Sequence, residues 1–200
     1  MRAPLVLAAL AALALAPPAD AATCTLSSTA ARDDHAWYVP DHLKLQLAGN
    51  VGFVSPGVGY AFLGRRLETD AFFGWVPESI GGADILSLTG KVTAHPFALR
   101  LGGVDWRPLS LGLQVTYTFG DQYFVRPPSQ FPGKYYDFPT SLRAGIAVGT
   151  SADTRIGERR VGAYLELVAL DVTLKAWMDN REELSAADVF SLAIGVRAEL

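Results

Sequence analysis

Residues 109–119 read LSLGLQVTYTF, and their side chains alternate strictly in polarity. The odd-numbered positions from Leu109 to Phe119 are apolar or aromatic, whereas Ser, Gly, Gln and Thr fill the even-numbered positions. A period of two predicts a β-strand with one apolar and one polar face. The same alternation recurs in residues 43–48, 67–75, 84–94, 142–149, 161–167 and 190–200. The sequence therefore predicts an all-β fold.

The composition argues against several classes of protein. Charged residues make up 18% of the 200-residue chain, against an average of about 25%, and Gly occurs 19 times where about 14 are expected. This mixture argues against intrinsic disorder, coiled coils and helix bundles. The net charge of −3 and the pI of about 5.6 argue against a nucleic-acid partner, which requires a basic surface. A single cysteine, Cys24, excludes an internal disulfide framework and a metal site built from several cysteines.

The first 21 residues have the pattern of an export signal. Arg2 is followed by an apolar core from Leu5 to Ala16, and Ala19-Asp20-Ala21 fits a cleavage site after Ala21. The core is too short to cross a bilayer, since a spanning helix needs about 20 apolar residues. We therefore expect a signal peptide at 1–21, a loosely ordered segment at 22–40 and one domain at 41–200.

The longest uncharged stretch, Leu45–Gly64, raises the possibility of a transmembrane helix. Five glycines and a proline make it a poor helix, and its apolar residues also alternate. Two all-β interpretations remain. A soluble sandwich or barrel would bury the apolar faces of its strands, whereas a barrel in an outer membrane would turn them towards lipid. The apolar faces carry no charge and the opposite faces are rich in small residues, which favours the membrane barrel.

This strand pattern resembles that of small bacterial outer-membrane β-barrels over roughly residues 40–200. The last strand, 190–200, resembles the assembly signal of such proteins, although it ends in Leu200 where Phe is usual. The resemblance implies an antiparallel up-and-down transmembrane barrel, with eight strands expected and ten as the alternative. It implies a bacterial outer membrane, and as partners membrane lipid, lipopolysaccharide and the barrel assembly machinery, which recognises the C-terminal strand. It implies no particular activity.

Nine charged residues fall on the polar, lumen-facing parity. They are Lys44, Glu68, Asp70, Lys91, Arg143, Glu166, Lys175, Arg197 and Glu199. The interior of an eight-stranded barrel is just wide enough for side chains. Four acids and five bases there are expected to pair into a structural network and to leave no wide pore. A small outer-membrane pore is the alternative, and it would require an open lumen with unpaired charges.

The order of the strands is open in three places. Residues 160–180 fit a hairpin that turns at Leu170-Asp171, with Glu166 opposite Lys175 and Tyr164 opposite Trp177 on the inward face. The proline-rich segment 120–139 is expected to be the longest, extracellular loop. The two expectations conflict unless a strand hides in 121–126, the Leu170 turn is extracellular, or 171–179 is not a strand. Residues 43–63 form either one long strand or a hairpin broken at 55–57.

The sequence offers little chemistry. His35, His42 and His95 have no metal-ligand spacing, and no metal or cofactor is expected. Small lipid A deacylase barrels carry a His-x-Ser pair, which is missing here. A lipid A-modifying hydrolase would therefore require His42 or His95 to meet a distant serine at the lipid face or a barrel mouth. Seven aromatic residues are expected to form girdles at the membrane interfaces. They are Phe53, Tyr60, Phe62, Trp75, Trp106, Tyr117 and Phe119. We predict a protein of structural or surface-interaction type, with catalysis less favoured.

Overall fold

The computed structural model of the chain describes residues 38–125, 139–183 and 185–200. The expected signal peptide, most of the 22–40 segment and residues 126–138 of the expected long loop lie outside this part. The strands are β1 (His42–Ala48), β2 (Val54–Phe62), β3 (Leu67–Val76), β4 (Ile85–Ala94), β5 (Leu99–Leu101), β6 (Val104–Phe119), β7 (Leu142–Ile156), β8 (Arg159–Leu170) and β9 (Phe190–Glu199). The helices are α1 (Glu78–Gly81), α2 (Asp171–Asp179) and α3 (Ala186–Val189). Among the described helices, none is long and apolar enough to cross a membrane.

Eight of the strands form a closed antiparallel barrel. Each strand pairs with its neighbour in the chain, and β1 pairs with β9 to close the ring. The exception is β5, which forms a small hairpin with the start of β6 while β4 pairs directly with β6. The predicted eight-stranded up-and-down barrel is confirmed.

Burial along the strands follows the predicted alternation. In β4, Ser87, Thr89 and Lys91 are buried in the lumen, whereas Leu88 and Val92 are exposed on the outside. The same two faces are found in the other strands of the ring. As a result the buried set is mostly polar, with 20 polar or charged residues against 8 hydrophobic ones among those described. The polarity of the barrel is inverted relative to a soluble protein, whose interior is apolar.

A β-bulge in β6 shifts the alternation by one residue. Arg107 pairs with Ser151, but the next pair is Ser110 with Gly149, so two residues of β6 oppose one residue of β7. Pro108 lies in the bulge, where the backbone N–H that proline lacks is not needed for the ladder. Because the parity changes here, Arg107 points into the lumen although it shares the parity of the outward Leu111.

The connections differ between the two ends of the barrel. At one end lie residues 49–53, 77–84, 120–125, 139–141, 171–183 and 185–189, which include the three helices; we call it the long-loop end. At the other end lie residues 63–66, the β5 hairpin region 95–103 and the turn 157–158; we call it the short-turn end. His42 of β1 and Glu199 of β9 pair with each other at the short-turn end, because the opposite ends of these two strands lie at the long-loop end.

The predicted hairpin over 160–180 is wrong. Residues 171–179 form α2, and the partner of β8 is β9. The helix starts where the Thr173 hydroxyl donates to the Leu170 carbonyl and accepts the Leu170 N–H, at 2.9 and 3.1 Å. The conflict between this hairpin and an extracellular loop at 120–139 is resolved because 171–179 is not a strand.

Two other boundaries differ from expectation. Residues 43–63 form a hairpin, but its turn lies at 49–53, where Gly49 and Asn50 have positive φ of 74° and 62°. The Ser55-Pro56-Gly57 segment lies inside β2 instead. The strand expected over 142–149 is longer, because β7 continues to Ile156.

Candidate functional site: the charged network inside the barrel

Eight charged side chains meet in the lumen, and we call them the interior network. They are Lys44, Glu68, Asp70, Lys91, Arg107, Asp153, Glu166 and Arg197. All eight are buried, and the four acids balance the four bases. A buried charge is tolerated only when it is paired and hydrogen-bonded. Each member has at least one partner of opposite charge.

Glu68 on β3 is the centre of the network. The Lys44 ammonium lies 2.9 Å from Glu68 and 2.7 Å from Asp70, so it bridges the two inward carboxylates of β3. The Arg107 guanidinium lies 3.5 Å from the other oxygen of Glu68, and Arg197 donates to that oxygen as well. Three cations therefore neutralise a single carboxylate.

Asp153 on β7 is a second carboxylate that contacts both Arg107 and Arg197. Arg197 Nε donates to Asp153 Oδ1 at 2.7 Å, and an Arg107 nitrogen lies 3.1 Å from Asp153 Oδ2. Together with Glu68, these residues connect β3, β6, β7 and β9 across the lumen. The network thus ties strands that are not neighbours in the barrel wall.

Tyr164 separates the central network from the pair of Lys91 with Glu166. The ammonium groups of Lys44 and Lys91 lie 5.6 and 5.8 Å from the centre of its ring, within cation–π range. Its hydroxyl donates to Gln46 Oε1 at 3.1 Å. The ring lies against Gly195 of β9, where any added Cβ would overlap it.

One histidine does meet a distant serine. His95 Nδ1 lies 3.0 Å from Ser110 Oγ, and His95 Nε2 lies 3.6 Å from Glu68. The residue types are those of a Ser–His–acid arrangement, but all three are buried in the lumen. The cavity beside them offers about 10 Å³ for the centre of a water molecule, which is room for about one water. A substrate carbonyl could not reach Ser110 in this conformation.

The second histidine belongs to a potential ligand group. The donor atoms of His42, Glu68 and Asp70 lie within 4.8 Å of one another, and one histidine with two carboxylates is a ligand set that zinc accepts. His42 Nε2 is 2.7 Å from Asp70. However, Lys44 already places its ammonium between the two carboxylates. The chain itself thus supplies the cation for this site.

Of the nine residues predicted to face the lumen, six belong to the interior network: Lys44, Glu68, Asp70, Lys91, Glu166 and Arg197. Two lie nearer the ends of the lumen. Arg143 lies at the long-loop end, 3.9 Å from Asp171, and Glu199 lies at the short-turn end, paired with Arg65 and 3.7 Å from Arg160.

The prediction for Lys175 is wrong. Lys175 is on α2, outside the barrel, and pairs with Asp179 at 2.6 Å. Glu166 therefore pairs with Lys91 of β4, across the lumen, and Tyr164 does not face Trp177 across a hairpin.

Sequence reasoning missed Arg107 and Asp153. Arg107 was hidden by the bulge, for which Pro108 in the middle of a strand was the available signal. Asp153 lies beyond the predicted end of its strand at residue 149. It keeps the inward parity of Gly145, Ala147 and Gly149, so extending the alternation would have found it.

Towards the long-loop end the buried side chains of the lumen are uncharged, and they include polar residues such as Ser55 and Thr89 as well as apolar ones. The 49–53 turn folds inward, and the Val51 carbonyl accepts a hydrogen bond of 2.5 Å from the Ser87 hydroxyl. Val51, Phe72, Val168 and Ala193 are all fully buried. In the described part of the chain, uncharged side chains fill the lumen at this end and ion pairs fill it at the other. This filling argues against a wide pore.

No family model, no curated protein and no solved structure matches the chain.

Proposed function

We propose that this chain is an integral protein of a bacterial outer membrane, of structural or surface-interaction type. The observation that carries the proposal is the inverted polarity of the barrel. Charged side chains pair inside, while large apolar side chains cover the outside, including Leu113 with 66% of its surface exposed. In water such a surface would be unfavourable by about 25 cal/mol for each Å² of apolar area. In lipid it is the expected lining.

The outward face of the ring is almost free of charge. Its large apolar members include Leu43, Leu45, Leu47, Val58, Phe73, Leu86, Leu88, Val92, Leu111, Leu113, Val115, Ile146, Val148, Leu165, Leu167, Leu192, Ile194 and Val196. The charged residue with outward parity in these eight strands is Arg159, the first residue of β8. Strands β3, β4 and β9 each have 10 residues, which matches the 9–11 or so that a tilted strand needs to cross a bilayer.

The aromatic residues on the outside support two interfacial girdles. Trp75, Tyr117 and Phe119 lie near the long-loop ends of their strands, whereas Phe62 and Trp106 lie near the short-turn ends. Both indole N–H groups have an acceptor, Asp84 for Trp75 and Thr150 for Trp106, at 3.2 and 3.0 Å. Amphipathic rings at both levels are typical of membrane–water interfaces.

The ends of the barrel suggest its orientation. Outer-membrane barrels keep short turns in the periplasm and longer loops outside the cell. We therefore assign the long-loop end, with its three helices, to the cell exterior. In this orientation the uncharged side chains packed around Val51 fill the outer half of the lumen, and the interior network fills the periplasmic half.

The location is tested by fractionating bacteria that express the full chain. We expect the protein in the outer-membrane fraction, resistant to extraction with alkaline carbonate, and with a heat-dependent shift in gel migration. Recovery in the soluble periplasmic fraction would overturn the proposal. The matched control is a soluble periplasmic protein expressed with the same signal peptide.

A lipid-modifying hydrolase is the second candidate, favoured by the contact between His95 and Ser110. Its burial and the sharing of Glu68 among three cations argue against it. A fluorophosphonate probe tests the point: labelling of the wild type that is lost in Ser110→Ala would establish a reactive serine. We expect no labelling of either protein.

A further inference from the structure

The cations at the short-turn end are all arginines. In the described part of the chain they are Arg65, Arg66, Arg100, Arg155, Arg159 and Arg160. The described lysines lie elsewhere, with Lys44 and Lys91 in the lumen and Lys175 at the long-loop end. Arginine differs from lysine in its planar guanidinium, which can bind two oxygens of a carboxylate or a phosphate at once. We call this set of six the arginine rim.

Half of the rim is already engaged with acids. Asp105 is 2.8 Å from Arg100 and 3.1 Å from Arg160, and Glu199 contacts Arg160 and Arg65. These contacts form a continuous chain of ion pairs around part of the barrel mouth. Asp105 and Glu199 are thus already paired within the protein, whereas Glu158, in the turn between Arg155 and Arg159, is exposed and has no ion pair among the described residues.

The other half of the rim has no acidic partner. Arg66, Arg155 and Arg159 are exposed, and none of them has an ion pair within 4.0 Å among the described residues. Arg66 lies in the turn between β2 and β3, whereas Arg155 and Arg159 flank the turn between β7 and β8. Three guanidinium groups are therefore available to an external anion.

Exposed apolar side chains accompany these arginines. Leu63 lies three residues before Arg66 and is 74% exposed, and Ile156 follows Arg155 and is 66% exposed. Phe97, in the connection that leads to Arg100, is 59% exposed. If the arginines bound only soluble anions, these three apolar side chains would remain exposed to water. A boundary between hydrocarbon and headgroups suits both kinds of side chain at once.

We propose that the arginine rim binds the phosphates of anionic lipids in the membrane leaflet that surrounds the short-turn end. The proposal rests on the proposed membrane location and adds a partner to it. Arg66, Arg155 and Arg159 contact lipid phosphates, while the neighbouring apolar side chains enter the acyl region. Clustered basic residues attract anionic lipids in this way.

The long-loop end differs from the short-turn end in that its charged residues are mostly acidic. The described residues of the long-loop end carry eight acids and three bases. The acids are Glu78, Asp84, Asp121, Asp171, Asp179, Glu182, Glu183 and Asp188, and the bases are Arg143, Lys175 and Arg181. The described residues of that end thus carry a net negative charge, so the preference for anionic lipid is assigned to the short-turn end.

The test measures which lipids stay bound to the full-length barrel. The protein is purified from mixed micelles that contain equal amounts of phosphatidylglycerol and phosphatidylcholine, and the retained lipids are quantified by native mass spectrometry. The test variant is Arg66→Gln/Arg155→Gln/Arg159→Gln, and the matched control at the long-loop end is Lys175→Gln/Arg181→Gln. Heat-dependent gel migration verifies that each variant is folded.

We expect the wild type and the control to retain mainly phosphatidylglycerol. The test variant should lose this preference by about tenfold or more, since each basic residue near a membrane surface contributes several-fold to binding. An unchanged preference in the test variant, or an equal loss in the control, would overturn the proposal. Full competition by millimolar inorganic phosphate would also overturn it, because the site would then bind free anions. A protein that is soluble without lipid would refute the membrane location itself, which fractionation detects independently.

Discussion

The substitution Glu68→Gln tests whether the interior network holds the barrel together. Glu68 is fully buried and is shared by Lys44, Arg107 and Arg197, with the Lys44 ammonium at 2.9 Å. Gln has nearly the same size, so packing is preserved while one negative charge is lost. The network then changes from four acids and four bases to a surplus of one buried cation.

Breaking a buried pair by removing one partner costs about 3–5 kcal/mol, because the other charge remains buried without compensation. The free energy of unfolding of Glu68→Gln should therefore fall by about this amount. The double variant Glu68→Gln/Lys44→Gln restores the balance of charge and should recover part of the loss. The matched control is Lys175→Gln, which breaks an exposed pair and should cost about 0.3–0.5 kcal/mol.

The assay is urea unfolding of the protein in phospholipid vesicles, followed by tryptophan fluorescence and by heat-dependent gel migration. The slope of the transition should be the same for all variants, so that midpoints report stability. A loss below about 1 kcal/mol for Glu68→Gln, or a loss no larger than that of Lys175→Gln, would refute the structural role of the network.

Three further predictions follow from other parts of the barrel. Leu113→Arg places a cation on the outward face near the middle of β6 and should lower stability in vesicles by about 2–4 kcal/mol in urea titrations; an unchanged midpoint would contradict a lipid-facing position. Gly195→Ala should destabilise the barrel, because its Cβ would overlap a buried tyrosine ring, whereas Gly90→Ala meets open space and should have little effect; equal midpoints would contradict this packing. Lys44→Met removes the internal cation beside His42 and two carboxylates, so zinc should raise the thermal transition of this variant after refolding with the ion, and should leave the wild type unchanged.

The barrel and the sidedness of its strands were predictable, because one rule acts on every strand. Each strand separates an apolar exterior from a polar lumen, so its side chains must alternate, and a one-residue slip would expose a charge such as Lys91 to the wrong side. The inward positions of eight of the nine predicted charges, all but Lys175, follow from this rule alone. A local pattern of period two suffices to find them.

Which charged residues pair within the interior network was not predictable, because the pairs form across the lumen only when the ring of strands closes. Lys91 and Glu166 are 75 residues apart in the sequence and pair across the lumen. The predicted hairpin over 160–180 placed Lys175 opposite Glu166 instead. The apolar residues of 171–179 alternate, yet the segment forms α2 with Thr173 at its capped first turn, so an alternating pattern over nine residues did not identify a strand. In β6 the bulge at Pro108 reversed the parity, which no strictly alternating template can anticipate.

Refolding with and without lipid tests the inverted polarity most directly. The urea-unfolded chain is diluted either into phosphatidylcholine vesicles or into buffer that contains neither lipid nor detergent. If the exterior faces lipid, a compact barrel with heat-dependent gel migration and protease resistance forms in the vesicles, while the chain in buffer aggregates or stays unfolded. A monomer that folds cooperatively in buffer alone, with the same strand content, would contradict the account.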